Sequence, residues 1–265
     1  MTSVGALLNP SPVRRTVAIA FWIGSSCVAA QAACDSGLAE RMHAKLHPGR
    51  TLDHERAVCQ PWGAFPGRSV VVLPLPREGS EPDSTEFDLD VMVVQQADNG
   101  NTDRMTIVSR LFEEKALTHD AIRVEELRID TARYRLAQDA RAFGLRVRYQ
   151  GSSRAYPYAN ETLSLYVTQG PRLAKVLDGL EMSVQRGEWD MQCAGTFESM
   201  RGSLSLGPGA SKGYANLVLN RTRIESANRP QGEACVTQEQ PARFGSATLR
   251  YDGSAYRMPQ QSGTD

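Results

Sequence analysis

Apolar and polar residues alternate along most of this chain with the two-residue period of β-strands. Phe87, Leu89, Val91 and Val93 share one side of an extended segment, and the residues between them lie on the other side. Other segments with a strand pattern are 69–75, 105–111, 122–129, 143–149, 163–167, 173–177, 182–184, 203–206, 214–219, 247–251 and 254–258. Strands of about 5–8 residues joined by turns predict a mainly β fold, either an antiparallel sandwich or a partly closed barrel.

One segment near the N-terminus has the period of a helix instead. Leu38, Met42 and Leu46 recur every four residues between Gly37 and Pro48, so they lie on one face of a helix. The sequence therefore predicts one short amphipathic helix ahead of the strands.

Turn residues mark where the strands reverse. Asp252-Gly253 stands between two alternating segments and predicts a type I′ hairpin turn with a two-residue loop. The stretch from Gly209 to Gly213 fits the letters of the G-x-S-x-G nucleophile elbow, but a strand pattern follows it and every histidine lies upstream. We interpret this stretch as a hairpin loop and expect no catalytic residue there.

The composition excludes several classes of protein. The chain has 265 residues, of which 41% are hydrophobic. It contains no apolar run of the roughly 18 residues that a membrane-spanning helix needs. Its 30 basic residues are balanced by 30 acidic ones, so it lacks the excess positive charge of a nucleic-acid-binding protein. We expect one or two globular domains, no nucleic-acid partner and no transmembrane segment in the mature protein.

The segment 1–32 has the features of a secretory signal peptide. It contains no acidic residue, carries the pair Arg14-Arg15 and continues into an apolar stretch, 17–30, before the small-residue motif Ala30-Gln31-Ala32. We expect cleavage after Ala32 and a periplasmic or secreted protein. Two other routes have weaker motifs: a twin-arginine signal at Arg14-Arg15, and a lipoprotein box that would attach a lipid to Cys34.

Four cysteines remain after this cleavage: Cys34, Cys59, Cys193 and Cys235. An even number in an exported protein predicts two disulfides. Three pairings are possible, and we favour the local ones, Cys34 with Cys59 and Cys193 with Cys235. The predicted divisions of the mature chain are a helical N-terminal segment at 33–66, a main antiparallel β domain at 67–190 and C-terminal hairpins at 191–260.

Two short patterns contain residues that can bind metals. Glu40, His43 and His47 have helical spacing, so the two histidines lie near each other on one face. Loop 98–103 offers oxygen ligands of the kind that Ca²⁺ prefers, but it does not follow the EF-hand spacing. Neither pattern supplies a complete ligand set, so we interpret the histidines as solvated and the loop as a turn. We expect no metal and no cofactor.

Arginines are concentrated in one part of the chain: Arg123, Arg128, Arg133, Arg135, Arg141, Arg146, Arg148 and Arg154. Arg146 and Arg148 alternate with apolar residues and so share the outer face of a predicted strand. They are candidates to bind an anionic glycan or a lipid head group. The alternative is that they form ion pairs across strands with Asp88 and Asp90, which we also place on an outer face.

Aromatic residues in predicted loops are a further indication of ligand binding. Trp62 and Phe65 lie in loop 61–67, Tyr156 and Tyr158 flank Pro157, and Trp189 lies between two acidic residues. Such rings can stack on sugars or peptides, and they also shield the ends of sandwiches. The predicted ligand-binding residues are therefore Trp62, Phe65, Tyr156, Tyr158, Trp189, Arg146 and Arg148.

Four stretches of the sequence resemble a known group of proteins. They are Cys59-Gln60-Pro61-Trp62, Asp130-Thr131-Ala132-Arg133-Tyr134-Arg135-Leu136, Arg141-Ala142-Phe143-Gly144-Leu145-Arg146 and Leu249-Arg250-Tyr251-Asp252-Gly253. The group consists of uncharacterised exported proteins of Gram-negative bacteria, and the likeness spans most of the mature chain. It implies an exported, β-rich protein, and it transfers no catalytic residue because the group has no assigned activity.

The expected function is binding rather than catalysis. We expect a non-enzymatic exported β protein that binds an envelope component, either a glycan or another protein. One alternative is a secreted enzyme similar to glycoside hydrolases, which need only two carboxylates. Candidate carboxylates are Asp88, Asp90, Glu188 and Asp190. Another alternative is a lipoprotein that acts in envelope assembly. The sequence leaves the ligand and the oligomeric state open.

Overall fold

The computed structural model describes residues 37–79, 84–96 and 105–259. These residues belong to one compact unit, Gln31–Asp265. They are mainly β, with one short helix and a large sheet that is not closed into a barrel, so the mainly β, sandwich-like prediction is confirmed. No helix within these ranges is long and apolar enough to cross a membrane.

One helix and 13 strands make up the regular structure of the described residues. The helix is α1 (Leu38–Leu46), and the strands are β1 (Val58–Pro61), β2 (Arg68–Pro76), β3 (Thr85–Gln95), β4 (Thr106–His119), β5 (Ile122–Asp130), β6 (Ala142–Gly151), β7 (Tyr158–Gln169), β8 (Arg172–Trp189), β9 (Gly195–Ser211), β10 (Tyr214–Gln231), β11 (Ala234–Glu239), β12 (Arg243–Tyr251) and β13 (Tyr256–Arg257). The helix has the bounds that its apolar spacing predicts.

Most strands pair antiparallel with their neighbours in the chain. This order runs from β1 to β4 and again from β5 to β10, after which β10 pairs with both β11 and β12. A single parallel bridge between Arg110 and Arg172 joins β4 to β8. The sheet therefore consists of two consecutive meanders that meet at one edge.

The two meanders pack against each other because each presents an apolar face. The core between them contains Val70, Val72, Leu89 and Val91 from β2 and β3, and Val124, Leu127, Phe143 and Leu145 from β5 and β6. On the opposite face of β2 and β3, Leu38 and Met42 of α1 pack with Leu73 and Met92. On the opposite face of β7, Leu163 packs with Leu217 of β10 and Leu249 of β12.

Most strands are longer than the sequence pattern predicts, and the difference is largest for three of them. β8, β9 and β10 contain 18, 17 and 18 residues. β8 joins the predicted segments 173–177 and 182–184 because Gly179, with a φ of 57°, lies in a bulge that lets the strand continue. The short lengths were wrong because the far ends of these strands are polar or partly exposed and show no clean alternation.

The Asp252-Gly253 turn differs from its prediction. Tyr251 pairs with Tyr256, so the loop contains four residues, 252–255, rather than two. The Asp252 carboxylate accepts hydrogen bonds from the backbone N–H groups of Ser254 and Ala255, each at 2.8 Å, and these bonds hold the wider loop.

The Gly209 to Gly213 stretch forms a hairpin, as predicted. β9 and β10 are joined by Lys212 and Gly213, whose φ angles of 48° and 91° are both positive, as a type I′ turn requires. Ser211 is the last residue of β9 and bonds the side chain of Asn216 at 2.7 Å. The stretch is not a nucleophile elbow, because a strand follows it instead of a helix.

One predicted disulfide is confirmed. Cys193 and Cys235 are bonded, with their Cα atoms 5.6 Å apart, and the bond joins the turn between β8 and β9 to β11. Cys59 is also disulfide-bonded. Its expected partner Cys34 lies outside the described residues, as do the predicted signal peptide and the 98–103 loop.

Candidate ligand-binding groove

Segment 155–157 extends the sheet beyond the start of β7. The backbone N–H of Gly187 donates to the Pro157 carbonyl at 3.1 Å, and that of Trp189 donates to the Ala155 carbonyl at 2.8 Å. These two bonds fix the segment against the end of β8. Tyr156 therefore stands opposite Glu188.

Antiparallel pairing arranges the side chains of this region in rows that cross the sheet. One row contains Tyr156, Glu188, Thr196 and Ala227, and the next row on the same face contains Tyr158, Arg186, Glu198 and Glu225. Tyr156 and Tyr158, which are separated by Pro157 in the sequence, thus lie side by side on one face. The structure brings these two predicted residues together.

An open groove follows the first of these rows. It has two lobes of about 510 Å³ each, which share Tyr156, Glu188, Thr196 and Ala227. The first lobe is also lined by Arg186, Glu198, Glu225, Ser226 and Gln240, and the second also by Trp189, Asp190, Asn228 and Arg229. These volumes fall within the range of about 300–1,000 Å³ that is usual for sites that bind small molecules.

Tyr156 offers its ring to this groove. The residue is 64% exposed, although it lies against the sheet. Its backbone N–H donates to the Ser153 hydroxyl at 3.0 Å, which fixes the main chain beneath the ring. A fixed, exposed ring can stack on a ligand with little loss of conformational entropy.

Ion pairs hold most charged side chains of the first lobe. Glu198 accepts from Arg186 at 2.8 Å and lies 3.0 Å from Arg223, and this carboxylate raises the pKa of Arg186. Glu225 lies 3.5 Å from Arg243. Glu188 is exposed and forms no ion pair with any residue that the structure describes, so its carboxylate can accept hydrogen bonds from a ligand.

The second lobe ends at the turn that the disulfide holds. The Asp190 carboxylate accepts from the backbone N–H of Gln192 at 2.9 Å and from that of Cys193 at 2.8 Å. These bonds lower the pKa of Asp190. Because Cys193 is bonded to Cys235 of β11, the wall of this lobe is covalently attached to the β10–β11 pair.

Phe197 also lines the first lobe, and the sequence analysis did not select it. It lies in the row between those that line the groove, opposite Gly187. A Cβ added to Gly187 would lie 2.6 Å from Phe197 Cδ1, so the ring packs directly on the glycine backbone. A glycine inside a strand is the signal that such a close approach leaves in a sequence.

Trp62 and Phe65 lie in a different part of the molecule. Trp62 is 1% exposed and packs edge-to-face on Phe143, with ring centroids 5.3 Å apart. Phe65 is partly buried beside Trp62, with ring centroids 4.6 Å apart. The structure thus places Trp62 in the core, and neither residue lines the groove.

Arg146 and Arg148 form ion pairs, but not with the expected partners. Arg146 bonds Asp130 at 2.8 Å and also pairs with Glu161. Arg148 lies 3.4 Å from Glu126. The expected pairing with Asp88 and Asp90 was wrong because those two residues lie on the other meander, under the N-terminal segment.

Asp88 and Asp90 are buried rather than on an outer face. Asp90 is 0% exposed, accepts from Arg110 Nε at 2.8 Å, and has His47 Nε2 2.7 Å away. Asp88 bonds Arg50 and Arg77, each at 2.7 Å. Both carboxylates are occupied by cations and point to the same face of one strand, so they do not face each other across a cleft as a glycosidase pair does.

His43 of α1 and His47, which follows the helix, are likewise held by protein contacts. The His47 side chain is 11% exposed, so its interpretation as a solvated residue was wrong. His43 Nε2 lies 2.8 Å from the Arg50 carbonyl. Among the described residues, no group of three or more His, Cys, Asp or Glu side chains is placed to hold a metal ion.

The chain as a whole matches no protein-family model, no curated protein and no solved structure.

Proposed function

We propose that this protein is an exported, disulfide-bonded β protein that binds a neutral glycan of the cell envelope in the groove beside Tyr156. The observation that carries the proposal is the exposed ring of Tyr156 next to a row of hydrogen-bonding side chains in a groove of about 510 Å³. Sugars present both an apolar C–H face and a ring of hydroxyl groups. The exposed ring of Tyr156 can stack on the C–H face of a sugar, and the row of polar side chains can bond its hydroxyl groups.

The polar side chains of the groove suit sugar hydroxyl groups. Glu188 supplies an acceptor without an ion-pair partner among the described residues. Thr196 and Gln240 add groups that both donate and accept, as does Asn228 in the second lobe. A hydroxyl group needs such a mixture because it also donates and accepts.

The charge of the groove favours a neutral ligand over an anionic one. The first lobe contains three carboxylates, Glu188, Glu198 and Glu225, and one guanidinium, Arg186. Arg186 is already paired with Glu198, whereas Glu188 has no ion-pair partner among the described residues, so an acidic ligand would meet a carboxylate and no free cation in this lobe. We therefore expect neutral oligosaccharides to bind more tightly than acidic ones.

The β8–β9 turn contributes rigidity, and its disulfide is consistent with an exported protein. The Cys193–Cys235 bond fixes the far end of the groove, so less ordering is required when a ligand binds. Disulfides persist mainly in oxidising compartments. This supports the periplasmic or secreted location that the N-terminal sequence predicts.

The test is calorimetric titration of the mature protein with neutral oligomers of glucose, galactose and N-acetylglucosamine. Tyr156→Ala removes the stacking ring, which contributes about 0.5–1.5 kcal/mol, so affinity falls by about two- to tenfold. The matched control is Phe244→Ala, which removes another exposed aromatic ring (81% exposed) that does not line the groove.

Three results would count against the proposal. The first is the absence of heat with every neutral oligomer, and the second is an equal loss of affinity in both variants. The third is the appearance of shortened oligomers after incubation, measured by mass spectrometry. If Glu188→Gln then stopped that cleavage, the protein would be an enzyme rather than a binding protein.

A further inference from the structure

A small hairpin lies between β5 and β6, away from the groove. Arg135 and Arg141 form an isolated antiparallel bridge, and the Ala142 N–H donates to the Tyr134 carbonyl at 2.9 Å. The Leu136 N–H donates to the Ala140 carbonyl at 2.8 Å and closes the turn. One bridge and these backbone hydrogen bonds therefore hold the segment 134–142 as a small hairpin-like turn without regular strands.

The alternation of this hairpin separates apolar from basic side chains. Tyr134 and Leu136 are 6% and 1% exposed and belong to the core on one side. Arg133, Arg135 and Arg141 line a cavity on the other side. The period of two that buries the apolar residues thus gathers three guanidinium groups in one place.

The cavity has a second wall from the loop between β1 and β2. Gly63, Ala64 and Phe65 line it, and its volume is about 560 Å³. Phe65 is held in place by Trp62, whose carbonyl accepts the Phe65 N–H at 2.8 Å. The arginines thus border a concave, half-open space rather than a flat surface.

The three arginines lack the ion pairs that other arginines of this chain form. None of them pairs with a carboxylate of the described residues, although Asp139 also borders the cavity. Arg141 Nε is buried without a hydrogen-bond partner among these residues. Arg135 and Arg141 are directly opposite each other, an arrangement in which like charges destabilise a sheet.

The pKa of Arg141 is consistent with this arrangement. Burial lowers it, and the positive charges of Arg135 and Arg133 lower it further. By contrast, ion pairing raises the pKa of Arg77 and Arg186.

We propose that this cavity binds a phosphate group through Arg133, Arg135 and Arg141. Guanidinium groups match phosphate oxygens in pairs of parallel hydrogen bonds. A phosphomonoester carries about two negative charges and three terminal oxygens, which fits three converging cations better than a monoanionic carboxylate does. The group can belong to a sugar phosphate or to a lipid head group, and the two share this chemistry.

The first arm of the test uses inorganic phosphate. Calorimetry and thermal unfolding of the mature protein are measured with phosphate and with acetate at equal ionic strength. We expect phosphate to bind and to raise the Tm, and Arg141→Gln to weaken binding by about tenfold or more, the effect of one lost charge-assisted hydrogen bond. The control Arg154→Gln removes an exposed arginine outside the cavity and leaves the affinity unchanged.

A second readout does not depend on finding the right ligand. Without any multivalent anion, Arg135→Gln removes the repulsion across the hairpin and raises the Tm, whereas Arg154→Gln does not change it. Addition of phosphate raises the Tm of the Arg135→Gln variant by less than it raises the Tm of the wild type.

The remaining arms identify the source of the phosphate. Binding of glucose 1-phosphate assigns a sugar phosphate, and binding only to phosphatidylcholine vesicles that contain phosphatidic acid assigns a lipid head group. Equal affinity for acetate and phosphate, or no binding of any phosphate compound, overturns the proposal. A lower Tm of Arg135→Gln in anion-free buffer also overturns it.

Discussion

Replacing Asp90 by Asn tests how the N-terminal segment is held on the sheet. The Asp90 carboxylate is 0% exposed and bonds Arg110 Nε at 2.8 Å, with His47 Nε2 2.7 Å away. The substitution keeps the shape of the side chain and removes its charge. Arg110 then remains in a largely buried place without its counterion.

The expected loss of stability follows from these contacts. Removing one partner of a buried ion pair costs about 3–5 kcal/mol. The Arg110 side chain is 32% exposed, so water compensates part of this cost, and we expect a loss of about 2–4 kcal/mol. For a unit of this size, this loss lowers the Tm by about 4–16 °C.

Urea unfolding measures this loss, and Asp178→Asn is the matched control. Asp178 undergoes the same chemical change, but its side chain is 70% exposed and its ion pair with Lys175, at 2.9 Å, lies at the surface. The control therefore loses no more than about 1 kcal/mol. An Asp90→Asn protein as stable as Asp178→Asn would refute the reasoning that the buried carboxylate holds this segment.

Three further predictions concern pH, the disulfide and the groove floor. Hydrogen bonds from the Ala132 N–H and Arg146 outweigh the effect of burial and lower the pKa of Asp130. The ionised carboxylate therefore stabilises the fold above about pH 4, and this stabilisation is lost as the pH falls through the pKa of the folded state. We expect Asp130→Asn to reduce the loss of stability at acid pH, measured by urea unfolding at a series of pH values. Replacing Cys193 and Cys235 together by Ser reopens a loop with a separation of 42 residues and lowers the free energy of unfolding by about 2–4 kcal/mol relative to the oxidised wild type, measured by urea unfolding. Gly187→Ala places a Cβ 2.6 Å from the Thr196 carbonyl oxygen and therefore lowers the Tm. The control Gly245→Ala, at a glycine with open space around it, leaves the Tm unchanged. Equal Tm values for the two variants would contradict the packing described for Phe197.

The fold was largely predictable because most strands and the helix alternate apolar with polar residues at their own period. The four-residue spacing in α1 follows from burial of one face of the helix. The alternation in 87–93 marks the core face of β3, but the second face of this strand is buried too, where Asp88 and Asp90 form ion pairs. β11 was missed because all six of its residues are exposed, so no apolar pattern marks it. The continuation of β8 through Gly179 was missed because a bulge and a turn use the same residue type.

The groove was only partly predictable. Tyr156 and Tyr158 were selected as aromatic residues beside a proline, but Trp62 was selected by similar reasoning and is buried. Local sequence does not distinguish these cases, because burial depends on which strand pairs cover the ring. Phe197 left a signal only in the glycines on which its ring packs, Gly187 across the sheet and Gly195.

The basic cavity was also only partly predictable from the sequence. Arg133 and Arg135 alternate with apolar residues, so their shared face was readable from the sequence. The sequence could not show that these arginines lack carboxylate partners. The register of β5, β6 and β7 places Asp130 and Glu161 beside Arg146 instead.

Backbone amide NMR during titration with a neutral oligosaccharide tests the central claim most directly, because it locates the ligand on the chain. We expect shifts confined to residues 155–158, 186–190, 194–198, 225–229 and 240, with none in residues 131–141. Shifts that cluster elsewhere, or no shifts with any neutral oligosaccharide, would contradict a glycan-binding groove beside Tyr156.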